Sequence, residues 1–200
     1  SGFNAGYYKA AQSGAELMDG KLTATDALAV CRKAGLKNEA NSLVSYIYRT
    51  PAAPHLAAQI EGKPIELAKI TADFARQAEV FDFITVEGSG GIICPLRLDG
   101  EKIMLADVIK ALGLDVLIVA DAGLGTINAT VLTAAFARER GIRVKGIIFN
   151  RYDEADFLHQ DNAKQVEFLT GVPVVARVTE NDTGSSLDLP LLKQLYKEIG

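Results

Sequence analysis

The sequence predicts an α/β fold, doubly wound, with a mostly parallel sheet and helices on both faces. Three observations carry that prediction. Strand-like runs rich in β-branched and aromatic residues alternate with helical patterns along the chain. One run, 116–120 (VLIVA), is apolar without a break, as in a strand covered on both faces. Lys9, Glu87, Asp121 and Asn150 fall at the carboxyl ends of strand-like runs, where such a sheet binds its ligands.

Residues 3–11 (FNAGYYKAA) read as the first strand, because Tyr7 and Tyr8 favour extended backbone, and Lys9 lies near its end. Gln12-Ser13-Gly14 leads into a polar segment. Residues 23–34 (TATDALAVCRKA) read as a helix that Thr23 or Thr25 would cap, with Asp26 in its positive first turn and Gly35 closing it. Residues 41–49 are a short apolar run open to either assignment. Pro51 and Pro54 break the chain before His55, and a short helix resumes over 56–60. Pro64 opens a stronger helix to Val80, with Ile65, Ile70, Phe74 and Ala78 near helical spacing. Residues 83–86 are a short buried strand, and 105–112 (LADVIKAL) a helix ended by Gly113. After 116–120, the segment Asp121-Ala122-Gly123-Leu124-Gly125-Thr126 turns into a helix over 128–140. A strand over 144–149 ends on Asn150-Arg151, a helix covers 162–169, a strand 172–178 and a last helix 190–199.

Two hundred residues, 48% of them hydrophobic, suit one packed domain over 1–200. A net charge of −4 without any lysine or arginine run argues against a nucleic-acid groove. No apolar stretch reaches spanning length and no signal peptide is apparent, so the expected setting is cytoplasmic, with no membrane partner. Cys31 and Cys94 lack framework spacing and read as free buried thiols.

The stretch 81–95 (FDFITVEGSGGIICP) organises the rest. Its strand stops on Glu87, followed at once by Gly88-Ser89-Gly90-Gly91. Glycines there free the backbone for left-handed angles and close approach to a ligand. A carboxylate beside exposed N–H groups at a strand end can hold a metal ion and a phosphate together. A plain turn gains little from that carboxylate, which favours a functional Glu87. Lys9 can steady a phosphate or anionic intermediate as a point charge, or be a solvated surface lysine. Asp26, judged locally, is a first-turn partner of the helix dipole. The DAGLGTIN segment (121–128) is either a tight turn or an anion site at a helix start. It is not G-x-G-x-x-G, which argues against a nicotinamide cofactor. His55 lacks a partner at metal-ligand spacing, which favours packing or a loop hydrogen bond over zinc. Ser89 sits in E-G-S-G-G rather than G-x-S-x-G, which argues against a serine hydrolase.

Taken in order, YYKAAQSG (7–14), TDALAV (25–30), APHLAAQIEGKPIE (53–66), VEGSGGIICPL (86–96), LGTINATVLT (124–133) and GIIFN (146–150) resemble dethiobiotin synthetase. The resemblance runs across nearly the whole chain. It implies a P-loop NTPase-like fold and a homodimer with sites at the subunit interface. It also implies ATP- and Mg2+-dependent conversion of 7,8-diaminononanoate and carbon dioxide to dethiobiotin. By resemblance, Lys9 is the catalytic lysine that steadies the carbamate and the transferring phosphate, and Ser13 binds substrate. Asp26 and Glu87 match the carboxylates on magnesium and nucleotide; Gly88, Ser89 and Gly90 match the loop against the phosphates. Gly125, Thr126 and Asn128 fall in the segment that receives the substrate's distant carboxylate, and Asn150 matches the adenine-reading asparagine.

The family begins with a strand, a glycine-rich loop ending in Gly-Lys-Thr and a helix, whereas no G-x-x-x-x-G-K-[ST] occurs in these residues. With Ser1 in place of methionine and the pattern in full flow by Ala5, the expectation is a chain lacking its N-terminal βα unit and nearly inactive alone. A second difference is Arg177-Val178-Thr179-Glu180, where some members have a proline-containing adenine contact. Two rivals stand beside this reading. A cobalamin-type amidotransferase-linked synthetase would need a fused glutaminase region, for which no catalytic cysteine motif is seen. A ParA- or MinD-like ATPase switch would want a basic amphipathic tail, and PLLKQLYKEIG (190–200) carries only Lys193 and Lys197.

Overall fold

The computed structural model describes residues 3–182 and 188–196. They divide into two compact units, one up to Gly113 and one from Leu114.

In the first unit β1 (Ala5–Gln12) is central in a parallel sheet of order β4-β1-β5. A β-hairpin follows, β2 (Glu16–Met18) and β3 (Lys21–Thr23), within what reads in sequence as a plain polar segment. Its turn residues Asp19 and Gly20 both have positive φ, 51° and 78°, the geometry an Asp-Gly hairpin turn requires. Helix α1 (Thr25–Ala34) is capped differently from expectation. Ala24 holds the N-cap position with no side-chain bond; instead Asn41 Oδ1 accepts the Ala24 N–H at 2.8 Å. Gly35 ends the helix with φ 69°, as expected. The ambiguous run resolves into a 3₁₀ turn (Ala40–Leu43) and β4 (Val44–Ile47).

Helix α2 (Pro54–Ile60) starts on its proline, whereas α3 (Leu67–Ala78) starts after Pro64 rather than at it. Strand β5 (Phe83–Glu87) carries Glu87 as its last residue. A second hairpin, β6 (Pro95–Leu98) and β7 (Lys102–Met104), precedes α4 (Leu105–Ala111). Tyr8, Leu43, Tyr48, Ile65, Ile70 and Leu96 form the fully buried centre of this unit. Tyr8 also meets Ser45 at 2.5 Å, and Asp73 accepts from Ser45, Lys69 and Arg76, so one polar cluster joins β1, β4 and α3.

The second unit holds β8 (Val116–Asp121), α5 (Thr126–Glu139), β9 (Val144–Asn150), α6 (Phe157–Thr170), β10 (Val174–Val178) and α7 (Leu189–Leu195). Its sheet is parallel, in order β10-β9-β8. Helix α6 begins five residues before its expected start, with Asp156 accepting the Leu158 N–H at 2.8 Å as its cap. The apolar run of β8 is not covered on both faces. Among the described residues it is an edge strand; Ile118 and Ala120 enter the core, while Leu117 and Val119 are 36% and 66% exposed. The last stretch of the expected final helix, 197–199, lies outside the described residues.

Candidate active site

Strands β1 and β5 pair with Lys9 opposite Glu87, so the two side chains leave the sheet on one face near its carboxyl end. Asp26, in the first turn of α1, reaches the same point. Lys9 Nζ donates to Asp26 Oδ2 at 2.7 Å and to Glu87 Oε1 at 2.6 Å. Lys9 is 5% exposed, which removes the solvated-lysine alternative, whereas the side chains of Asp26 and Glu87 are 46% and 44% exposed. Burial disfavours the ammonium, but the hydrogen bonds and charges of Asp26 and Glu87 outweigh it and hold Lys9 above the usual lysine range. Asp26 therefore occupies the positive end of α1 and also pairs with the lysine.

Two side chains absent from the sequence-derived set complete this cluster. The Tyr7 hydroxyl donates to Glu87 Oε2 at 2.6 Å. Burial, and then that bond to a carboxylate, raises the Tyr7 pKa far above its ordinary value, so it remains a donor. Gln12, 2% exposed, donates to Thr25 Oγ1 at 2.8 Å and accepts the Asp26 N–H at 3.3 Å. A glutamine just past the expected first strand and a tyrosine two positions before the lysine were the available signals.

The glycine loop lies close by. A Cβ at Gly88 would sit 3.0 Å from Leu105 Cδ2, and Gly90 has φ 89°, so neither position readily accepts a side chain. Ser89 Oγ donates to the Ala11 carbonyl, tying the loop to the end of β1. Ser13 is half-buried just past that strand, and the next residue donates from Gly14 N to the Thr50 carbonyl at 3.1 Å. His55 is half-buried with Nδ1 lacking a hydrogen-bond partner, so the expected loop hydrogen bond is not made through that atom. Both cysteines are free and buried, as expected.

The second unit carries the remaining residues. Asp121 ends β8; its Oδ1 accepts the Gly123 N–H at 2.8 Å and its Oδ2 pairs with Arg151. Gly125, with φ 89°, is the N-cap of α5, and Asn128 is exposed in that helix's first turn. Thr126 is buried; its hydroxyl lies 3.3 Å from that of Thr130 and its N–H donates to the Gly123 carbonyl at 3.3 Å. Asn150 ends β9, half-buried, and its carbonyl accepts the Ala122 N–H at 3.1 Å. Among the described residues no group of three or more His, Cys, Asp or Glu is arranged to hold a metal, and no helix is long and apolar enough to cross a membrane.

A family model described as an AAA domain matches residues 1–186. The chain is 46% identical over 198 residues to the ATP-dependent dethiobiotin synthetase BioD of Clostridium botulinum (strain 657 / Type Ba4), covering 98% of this chain and 86% of the relative. It is 42% identical over 198 residues to the protein of the same name from Clostridium perfringens (strain 13 / Type A), covering 99% and 87%. Among solved structures it is similar to a ParA family ATPase from Chlorobium tepidum TLS, with TM-score 0.54 and 15% identity over 96% of this chain and 78% of that one. It is also similar to the Aquifex aeolicus MinC:MinD cell division complex, with TM-score 0.51 and 12% identity over 96% and 78%. At those identities the two structures speak to the fold alone, a P-loop NTPase-like α/β architecture.

Proposed function

We propose a division of labour among the site residues from one premise: the chain belongs to the ATP-dependent dethiobiotin synthetase family, ligases of biotin synthesis. Its reaction is the ATP-driven carboxylation and ring closure of 7,8-diaminononanoate with carbon dioxide, releasing ADP and phosphate. The ParA and MinD likenesses share the fold of the rival switch reading, but at 15% and 12% identity they add nothing to its function. The observation that carries the site assignment is the buried Lys9 ammonium held between two half-exposed carboxylates.

One amine of the substrate takes up carbon dioxide as a carbamate, ATP phosphorylates the carbamate, and the second amine displaces phosphate to close the urea. Lys9 supplies a positive charge to the carbamate and the transferring phosphoryl group. Asp26 and Glu87 would hold Mg2+. Both are hard oxygen donors, both already converge on one cation, and their exposed sides leave room for phosphate oxygens and water, the company Mg2+ keeps with one or two carboxylates. When bound, the ion neutralises charge on the phosphate oxygens. Gly88, Ser89 and Gly90 line the phosphates, and Ser13 orients the diamine so that its second nitrogen stays in reach. Gly125, Thr126 and Asn128 receive the substrate's distant carboxylate, and Asn150 reads adenine. The enzyme works as a cytoplasmic homodimer, a reading that fits its two free buried thiols.

The test uses the protein expressed from its complete reading frame and measures ATP- and Mg2+-dependent fixation of labelled bicarbonate onto 7,8-diaminononanoate. Lys9→Gln is expected to lower turnover by about 10²- to 10³-fold, the scale for removing one preorganised charge donor. Turnover equal to the parent's would remove Lys9 from the chemistry. Sedimentation of the same preparation as a monomer would rule out the dimer.

A further inference from the structure

We propose that Tyr7 is the positioning residue for Glu87, fixing the plane of that carboxylate throughout turnover; this rests on the assignment of Lys9 and Glu87 to the active site. Tyr7 and Lys9 lie two residues apart on one face of β1, about 6.5 Å along the strand. Thr85 is opposite Tyr7 and Glu87 is opposite Lys9, so the phenol ring spans the diagonal between the two pairs. Its hydroxyl meets Glu87 Oε2 at 2.6 Å while Lys9 meets Oε1 at 2.6 Å. The terminal torsion of a glutamate is otherwise broad. With one donor on each oxygen, the carboxylate is pinned.

The other two fully buried tyrosines of this unit each reach a main-chain carbonyl and no carboxylate directly. The Tyr8 hydroxyl lies 3.0 Å from the Ile70 oxygen and 2.5 Å from Ser45 Oγ, and Tyr48 donates to the Lys63 oxygen at 2.7 Å. Tyr7, 4% exposed, gives its hydroxyl instead to a carboxylate that is 44% exposed. The bond approaches Glu87 from the interior and leaves its outward side open. It is also independent of Lys9. When the ammonium turns from Glu87 toward an anionic substrate, Tyr7 keeps the carboxylate aimed. A phenylalanine at this position would serve packing equally well, so the hydroxyl is the part that packing does not require.

The experiment compares Tyr7→Phe with Tyr8→Phe and Lys9→Gln, all in the protein expressed from its complete reading frame. Mn2+ affinity in the presence of ADP is read by electron paramagnetic resonance, beside kcat, KM for the diamine and the melting temperature. Tyr7→Phe is expected to weaken Mn2+ binding and lower kcat, each by about 10- to 100-fold, with KM for the diamine unchanged. Tyr8→Phe is expected to lower the melting temperature and leave Mn2+ affinity at the parent value. Parent-like Mn2+ affinity and kcat in Tyr7→Phe overturn the proposal, even where its melting temperature falls. Should Tyr7→Phe not fold, 3-fluorotyrosine at position 7 keeps ring and hydroxyl. Its ¹⁹F resonance is expected to shift with Mg2+ and saturate with binding, and an unmoved resonance overturns the proposal. Lys9→Gln separates the two levels. Full activity in that variant removes the site assignment itself, whereas a dead Lys9→Gln beside a fully active Tyr7→Phe removes only the positioning role.

Discussion

Gly6→Ala offers a direct test of how β1 is held against its neighbour. Gly6 pairs with Ile84 of β5, and a Cβ built on it would lie 2.3, 2.5 and 2.6 Å from three atoms of the Phe81 ring. Carbon atoms prefer about 3.5 to 4.0 Å, so ring or strand must yield by roughly 1 Å. Phe81 is 7% exposed and sits in the core, so the ring has little room to retreat. Overpacking of this kind costs about 1–3 kcal/mol, while alanine gains about 0.5–1 kcal/mol over glycine in a strand. The balance is a loss of about 1–2 kcal/mol, or roughly 2–8 °C in melting temperature. Urea unfolding followed by circular dichroism measures it. In a Phe81→Ala background the clash is gone, and the same substitution is expected to be neutral or slightly stabilising, a coupling of about 2 kcal/mol. An equal cost in both backgrounds would refute the steric argument. Because Gly6 lies three residues before Lys9 on the same strand, a displaced β1 would also disturb the Lys9–Glu87 register.

Two further outcomes are expected. Burial alone would raise the Asp73 pKa, but hydrogen bonds from Lys69 and Ser45 and the charge of Arg76 carry it below its ordinary 3.8. A carboxylate depressed in the folded state stabilises above its unfolded pKa and loses that contribution as pH falls through the folded value, so Asp73→Asn should flatten the acid limb of a stability–pH profile below about pH 4. Gly20→Ala, at φ 78° in the first hairpin turn, is expected to cost about 1 kcal/mol by urea unfolding, whereas an alanine at a position with negative φ would not.

Much of the fold is legible because its signals are local. Strand and helix alternate in the expected order, Gly35 and Gly113 fall beyond the ends of α1 and α4 with positive φ, and Glu87 closes β5. The two hairpins were missed: Asp19-Gly20 and Asp99-Gly100 are turn pairs, and Gly100 has φ 87°, but the flanking strands of three or four residues are too short to show an alternating pattern. Helix starts were less legible than helix ends. Alanine caps α1 because Gln12 and Asn41, distant in sequence, satisfy its first N–H groups in place of a threonine hydroxyl. For Thr126, the pattern places the residue at a helix start, but only packing shows its hydroxyl against Thr130.

The sequence by itself determined the strand-to-helix order, the polar residues at strand ends and, through ordered motifs spread along the chain, the family. Those properties depend on neighbours within a few residues or on residue identity alone. Tertiary structure decided which of those residues meet. Lys9 touches a carboxylate 17 residues later and another 78 residues later, because parallel pairing of β1 with β5 and the placement of α1 bring them to one point. The same pairing gives Tyr7 a carboxylate as its partner rather than a main-chain carbonyl. No periodicity encodes that choice, since it follows from register between strands far apart in the chain, which backbone hydrogen bonds and side-chain burial fix only on folding.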